Sequence, residues 1–140
     1  MRYLAIDLGD KRTGIAIGDD VTGIVTPHEV LDVPIKPTHD RLLAAIASCV
    51  DEFAPDALVI GLPLHMDGSE RAQSKIVRAF GEALQTRTGL TAHYQDERLT
   101  SADAEWTLAG SGKTHGQKKA LRDALAAAVV LRDFLEQQGA

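Results

Sequence analysis

Tyr3-Leu4-Ala5-Ile6-Asp7-Leu8-Gly9 sets one acid inside a run whose other members suit a buried strand. A lone carboxylate in such surroundings is costly unless something pairs with it. Gly9 then turns the chain through Asp10-Lys11-Arg12-Thr13-Gly14 into a second apolar run, Ile15-Ala16-Ile17-Gly18. An Asp on a rigid strand beside a tight basic turn is the start of a metal or phosphate site. Two more carboxylates, 90 and 116 residues further on, bear on which.

Outward from this stretch, strands are expected at about 2–8, 13–18 and 24–32. The turn Asp19-Asp20-Val21-Thr22-Gly23 joins the last two as an antiparallel meander. Pro34 and Pro37 interrupt the pattern before a helix near 39–53, whose face is Leu42, Leu43, Ile46, Ala47, Val50 and Phe53. Ala57-Leu58-Val59-Ile60 is a short, wholly apolar run between Pro55 and Gly61, as in a central strand covered on both sides. A helix of about 70–87 follows, then a fifth strand at 91–95 leading to Asp96-Glu97-Arg98. Thr100 with Asp103 reads as a capping box for a short helix containing Trp106, and a polar loop lies around Gly110 to Gly116. A last helix covers about 117–137. No repeat or linker divides the chain, so residues 1–140 are expected to form a single domain: an α/β fold with a mixed five-stranded sheet flanked by helices.

Bulk composition narrows the functional classes. The chain is 44% hydrophobic and 25% charged, and no apolar run approaches the roughly 20 residues that span a bilayer. No membrane partner is expected, and without a basic-then-apolar leader the expected location is cytoplasmic. A single cysteine, Cys49, excludes an internal disulfide and a cysteine-rich zinc site; it shares a helical stripe with Leu42, Ile46 and Phe53 and reads as core. The net charge of −5 argues against indiscriminate coating of nucleic acid. Between Ser111 and Arg122, however, Lys113, Lys118, Lys119 and Arg122 occur with no acid among them.

The last helix carries the second unusual carboxylate. At 100° per residue Asp123 shares a stripe with Ala120, Ala127, Val130 and Phe134, interrupting a face that should be packed. An Asp favoured by the helix dipole is the competing reading. On the fifth strand Asp96 and Glu97 point in opposite directions, so one of them faces a site shared with Asp7, and the residues alone leave open which. Three converging carboxylates without a thiolate or histidine cluster suit hard divalent cations, Mg²⁺ or Mn²⁺. Two such ions bring +4 against −3, a balance fit for an anionic phosphodiester, and would support in-line displacement with no Ser, Cys or His nucleophile.

At these residues the chain resembles the YqgF, or RuvX-like, family of the ribonuclease H-like superfamily. The resemblance rests on Asp7-Leu-Gly-Asp-Lys-Arg-Thr-Gly14, on Val59-Ile-Gly-Leu-Pro-Leu64 with Asp67-Gly68-Ser69, on Asp96-Glu-Arg-Leu-Thr-Ser101 and on Asp123-Ala-Leu-Ala-Ala127, and it spans nearly the whole chain. It implies a ribonuclease H-like fold with the acids on the first strand, after the fifth strand and on the last helix, and it selects Glu97 over Asp96. It also implies a metal-dependent nuclease whose catalytic and metal-binding residues are Asp7, Glu97 and Asp123, with a second ion arriving with substrate. The implied role is maturation of the 5′ end of the 16S rRNA precursor during ribosome biogenesis, or resolution of Holliday junctions in branched DNA. The latter would call for a homodimer making two symmetric cuts.

Around the acids, Lys11, Arg12, Arg98, Lys113, Lys118 and Lys119 are the expected phosphate contacts, positioning structured RNA or branched DNA without reading its sequence. Gly61 and Pro63 are expected to shape a loop at the active edge, His65 and His115 to be surface residues, and Trp106 to be packing. Two other classes compete. Asp7, Gly9 and Gly14 also fit the Asp-x-Gly-x(4)-Gly turn of ATP-binding sugar kinases and chaperone ATPases, which clamp nucleotide between two such domains. A non-catalytic nucleic-acid-binding assembly factor for ribosomes is the other, although a pure binder gains nothing from clustered negative charge.

Overall fold

The computed structural model describes residues 1–36, 39–97 and 115–139, with side chains of 115–121 and 139 not described. The elements are β1 (Arg2–Leu8), β2 (Thr13–Asp19), β3 (Val25–Leu31), α1 (Asp40–Phe53), β4 (Ala57–Leu62), α2 (Ala72–Thr88), β5 (Ala92–Asp96) and α3 (His115–Gly139). Apart from end shifts of one or two residues these match the expected elements. Helix α3 starts earlier than expected, so His115 and Gly116 open a helix and not a loop. The Ala- and Leu-rich run beyond Lys119 favours helix, and once nucleated a helix extends at little cost. The Thr100–Asp103 capping box and the Trp106 helix lie outside the described residues.

The five strands form one mixed sheet in the order β3-β2-β1-β4-β5. β1 pairs antiparallel with β2, and β2 with β3, whereas β4 runs parallel to both β1 and β5. The meander follows from the short turns at 9–12 and 20–24, which allow only antiparallel return. The first of these needs Gly9, because a Cβ there would collide with the carbonyl oxygen of Arg12. The parallel pairs follow from helical crossovers, which also bury β4 completely: all six of its residues are buried.

Alternation along the strands divides the core in two. Leu4, Ile6 and Leu8 of β1 and Leu58, Ile60 and Leu62 of β4 face α1 and α2, meeting Leu42, Ile46, Val77, Phe80 and Leu84. Tyr3 and Ala5 of β1 and Ala57 and Val59 of β4 face α3, meeting Ala127, Val130, Leu131 and Phe134. Small residues on the second side let α3 lie close to the sheet. Cys49 is buried as expected and donates a hydrogen bond of 3.3 Å to Glu29; burial, then the Glu29 carboxylate, pushes its thiol up to about 12. Such a thiol is inert.

Candidate active site

Strand alternation brings the acids to one side. Asp7 lies two residues beyond Ala5 and so points to the α3 face, at the carboxyl end of β1. On β5, Ala92 and Tyr94 pack toward α1 and α2, whereas the His93 ring meets Phe134 of α3 with centroids 5.2 Å apart, and Gln95 is buried. Glu97 continues the His93–Gln95 series; its backbone N–H donates to the Leu62 carbonyl at 3.3 Å, carrying the parallel pairing one residue past the strand. Its side chain therefore turns to the α3 face and hydrogen-bonds Asp7. Asp96 has the opposite parity. The ambiguity left by the residues alone is thus resolved by the register of β5.

Two glycines make room for this meeting. Gly14 is the cross-strand partner of Asp7, and a Cβ there would overlap the carbonyl oxygen of Asp123. Bare backbone at residue 14 lets α3 rest directly on β2 at residue 123. Gly61 plays the same part on β4: a Cβ there would overlap a Glu97 carboxylate oxygen and come within 3.3 Å of Val130. Asp123 is the ninth residue of α3, beyond the first turn where the helix dipole favours an acid, so the dipole does not account for it. Its neighbours do: the charge of Asp123 is felt by Asp7, and Arg12 places its Nε 3.5 Å from an Asp123 carboxylate oxygen. With Arg12 half exposed that pair contributes on the order of 0–1 kcal/mol.

Burial and crowding set the protonation. Burial, then the charge of Asp7 and the hydrogen bond to it, push the Glu97 carboxyl up to about 9; Asp96 adds to this, and the Arg71 guanidinium opposes it. Burial also raises Asp7, the bond accepted from Glu97 lowers it, and Asp123 raises it again. Glu97 therefore keeps its proton well above the ordinary carboxyl range and shares a hydrogen bond with Asp7. Among the described residues no group of three His, Cys, Asp or Glu side chains stands arranged as a finished metal cage, and Asp7 and Glu97 are joined by a hydrogen bond. The donor chemistry nonetheless fits a hard divalent cation: carboxylate oxygens only, on three rigid elements, with glycine backbone opposite.

The expected phosphate contacts fare unevenly. Arg12 stands at the site, paired with Asp123. Lys11 is exposed in the same turn. Lys118 and Lys119 belong to α3, one to two turns before Asp123, with side chains not described. Arg98 and Lys113 lie outside the described residues. His65 is exposed in a tight hairpin where Leu64 pairs with Glu70, its N–H donating to the Ser69 carbonyl at 2.9 Å. Arg71 was not singled out from sequence. In Ser69-Glu70-Arg71 it looks like any exposed charge, and only the packing of α2 against β4 brings it near Glu97.

Comparison with known proteins follows the same lines. The model of the RuvX family, described as Holliday junction resolvase, matches residues 1–137. A protein of Anaeromyxobacter sp. strain Fw109-5 named "Putative pre-16S rRNA nuclease" is 41% identical over 136 residues, covering 97% of each chain. One of the same name from Chromobacterium violaceum is 39% identical over 137 residues, 97% of this chain and 98% of its own. Among solved structures, T. thermophilus RuvC in complex with Holliday junction substrate superposes with a TM-score of 0.64 at 18% identity, covering 99% of this chain and 96% of that one. The last likeness bears on the fold, which is that of the RuvC-like, ribonuclease H-like proteins.

Proposed function

Because this chain belongs to the RuvX family, we propose that it is a divalent-metal-dependent nuclease that hydrolyses phosphodiester bonds in the 16S rRNA precursor at its 5′ end. The observation that carries this reading is the meeting of the Asp7 and Glu97 side chains beside Asp123, at the carboxyl ends of parallel strands. Two carboxylates brought into contact need a proton or a cation between them. A fold that keeps glycine at 61 against Glu97 and at 14 against the backbone of Asp123, so that all three acids can gather, is arranged for the cation.

Asp7, Glu97 and Asp123 would hold Mg²⁺ or Mn²⁺. Bound there, such ions supply Lewis acidity, easing deprotonation of an attacking water and stabilising charge on the departing oxygen. The chain's own residues have separate tasks. Glu97 would give up its proton in order to serve as a ligand. Asp7, on the central strand, stands between the elements that carry the other two acids and fixes the reference point of the site. Arg12 stands ready to exchange Asp123 for a phosphate oxygen, and α3 carries Lys118 and Lys119 into the same quarter. These contacts position a backbone and read no sequence.

The family description favours a second reading, resolution of a four-way DNA junction, which the same site would perform as a homodimer. One assay separates them: purified protein with Mn²⁺ on a precursor RNA spanning the 16S 5′ end and, in parallel, on a four-way DNA junction. Cleavage of the RNA alone, abolished by Asp7→Asn, supports the first reading, and symmetric cutting of the junction alone supports the second. Cleavage of either substrate that persists in Asp7→Asn would remove the acid trio from the mechanism.

A further inference from the structure

We infer that Arg71 is a substrate-contacting residue, anchoring a backbone phosphate on the β4–β5 side of the acid trio, opposite the side attended by Arg12. The inference rests on the nuclease reading and adds to it a direction for the bound strand.

The geometry comes from a chain of short links. Glu97 is tied to Leu62 by its backbone N–H. The next residue, Pro63, accepts a hydrogen bond from the Ser74 hydroxyl, and Ser74 is fully buried in the first turn of α2. The same Ser74 Oγ accepts the backbone N–H of Arg71 at 2.9 Å. Arg71 is thus seated at the start of α2, joined to Glu97 through three hydrogen bonds and the Leu62–Pro63 peptide bond. Its side chain is exposed and takes no part in these links. The neighbouring acid, Glu70, is engaged by Arg78, and among the described residues no carboxylate oxygen is within 4 Å of the Arg71 guanidinium.

Arg71 is therefore a cation seated by this chain of bonds at the carboxyl edge near Glu97 and, among the described residues, not consumed in a salt bridge. Its counterpart lies across the sheet. Arg12 enters β2 and Arg71 serves the β4–β5 edge, with Asp7 on β1 between them. From β2 to β5 is three strand spacings, about 14 Å, room for a nucleic-acid backbone to lie between the two arginines. A strand crossing the carboxyl edge of the sheet would meet Arg12, then the acids, then Arg71. Guanidinium suits the task because its fork binds two phosphate oxygens at once.

Arg71→Ala leaves the backbone N–H on Ser74 intact, so the fold is expected to melt at the wild-type temperature. Binding is read on the cleavage-silent Asp7→Asn protein with a four-way DNA junction and with precursor RNA, as a function of salt. Arg71→Ala is expected to bind about tenfold more weakly at low salt and to lower the slope of log affinity against log salt by about 0.7–0.9. Arg71→Lys should keep the slope. In the active protein the loss should fall on KM more than on kcat. In the DNA junction, one neutral methylphosphonate beside the cleaved linkage should weaken the Arg71 protein about tenfold and the Arg71→Ala protein no further. An unchanged salt slope in Arg71→Ala, with wild type cleaving either nucleic acid, overturns the role of Arg71 and leaves the nuclease reading standing. Wild type that cleaves neither with Mn²⁺ overturns both.

Discussion

Glu97→Gln is expected to stabilise the metal-free protein at alkaline pH. In the wild type, burial and Asp7 hold the Glu97 carboxyl at about 9, against its ordinary 4.5. The folded chain keeps a proton through the neutral range that the unfolded chain releases. A carboxyl raised in this way contributes stability in full below pH 4.5 and loses it as pH climbs through 9. Between pH 4.5 and pH 8 the loss has a ceiling of roughly 5 kcal/mol, from 1.36 kcal/mol per pH unit. Water entering the partly open site, and rotation of Glu97 away from Asp7, bring this to about 2 kcal/mol. A glutamine still donates an N–H to Asp7 and has no proton to lose.

For a chain of this size 1 kcal/mol moves Tm by about 3–5 °C, so the variant should melt about 6–10 °C above wild type at pH 8 and within a degree or two of it at pH 5. Thermal melts in chelator from pH 5 to 9 provide the measurement. Asp7, raised chiefly by burial, and the N-terminal ammonium, raised chiefly by its bond to Asp20, also lose stability with rising pH, but both are present in wild type and variant. Asp19 and Asp67 are lowered, chiefly by bonds from Thr22 and Ser69, so what they contribute is lost only as pH falls below about 4. The Cys49 thiol, at about 12 against an ordinary 9, loses its contribution only above pH 9. Parallel Tm curves for wild type and variant would refute the reasoning, because the shared proton would then carry no folding cost.

Three further outcomes are expected. Saturating Mn²⁺ should raise the wild-type Tm at pH 8, by about 2.7 kcal/mol of stability at a hundredfold excess over Kd, while nucleotide alone should not, and Asp7→Asn should lose most of the metal response in the same melts. Gly14→Ala should cost about 2–4 kcal/mol, at or above the usual range for overpacking because the new methyl meets the backbone of Asp123 and not a side chain that can rotate; denaturant unfolding measures it, and cleavage should fall further than stability does. Thr13→Val should stabilise by about 1 kcal/mol, since the Thr13 hydroxyl is buried beside Leu8 and Leu31 with no hydrogen-bond partner among the described residues, and a lower denaturant midpoint would show that it has one.

How much of this could be read from sequence depended on the range of the interaction. The sheet was legible because its strands carry local signals: the glycine turn after β1, the proline-bounded run Ala57 to Ile60, and helices with apolar stripes between them. Asp7 and Asp123 were legible as anomalies, each an acid where periodicity calls for an apolar residue. Glu97 was not, because Asp96 and Glu97 differ only in parity, and parity depends on the register that β5 adopts against β4. The family resemblance supplied the choice that local pattern could not. Gly14 showed itself as a turn glycine, whereas its contact is with α3, 109 positions later. Arg71 carried no local signal at all, since its importance arises from Ser74 reaching Pro63 across the β4–α2 loop.

The same acids that make the site costly to fold also make it responsive. A cation entering between Asp7 and Glu97 must displace the proton that Glu97 holds, so affinity for Mg²⁺ or Mn²⁺ should increase with pH through the neutral range. Stability of the metal-free chain falls over that same interval. The two trends have one cause and opposite signs: ionising Glu97 is unfavourable beside Asp7 alone and favourable once a divalent charge lies between them. The metal-induced rise in Tm should therefore be smallest near pH 5, where cation and proton compete, and should grow toward pH 9 in wild type. In Glu97→Gln, which has no proton to displace, the rise should be small and lack this growth with pH. A metal response that grows equally in both proteins would place the coupling on Asp7 and Asp123 instead, and Glu97 would then be a hydrogen-bond donor to the site without being one of its ligands.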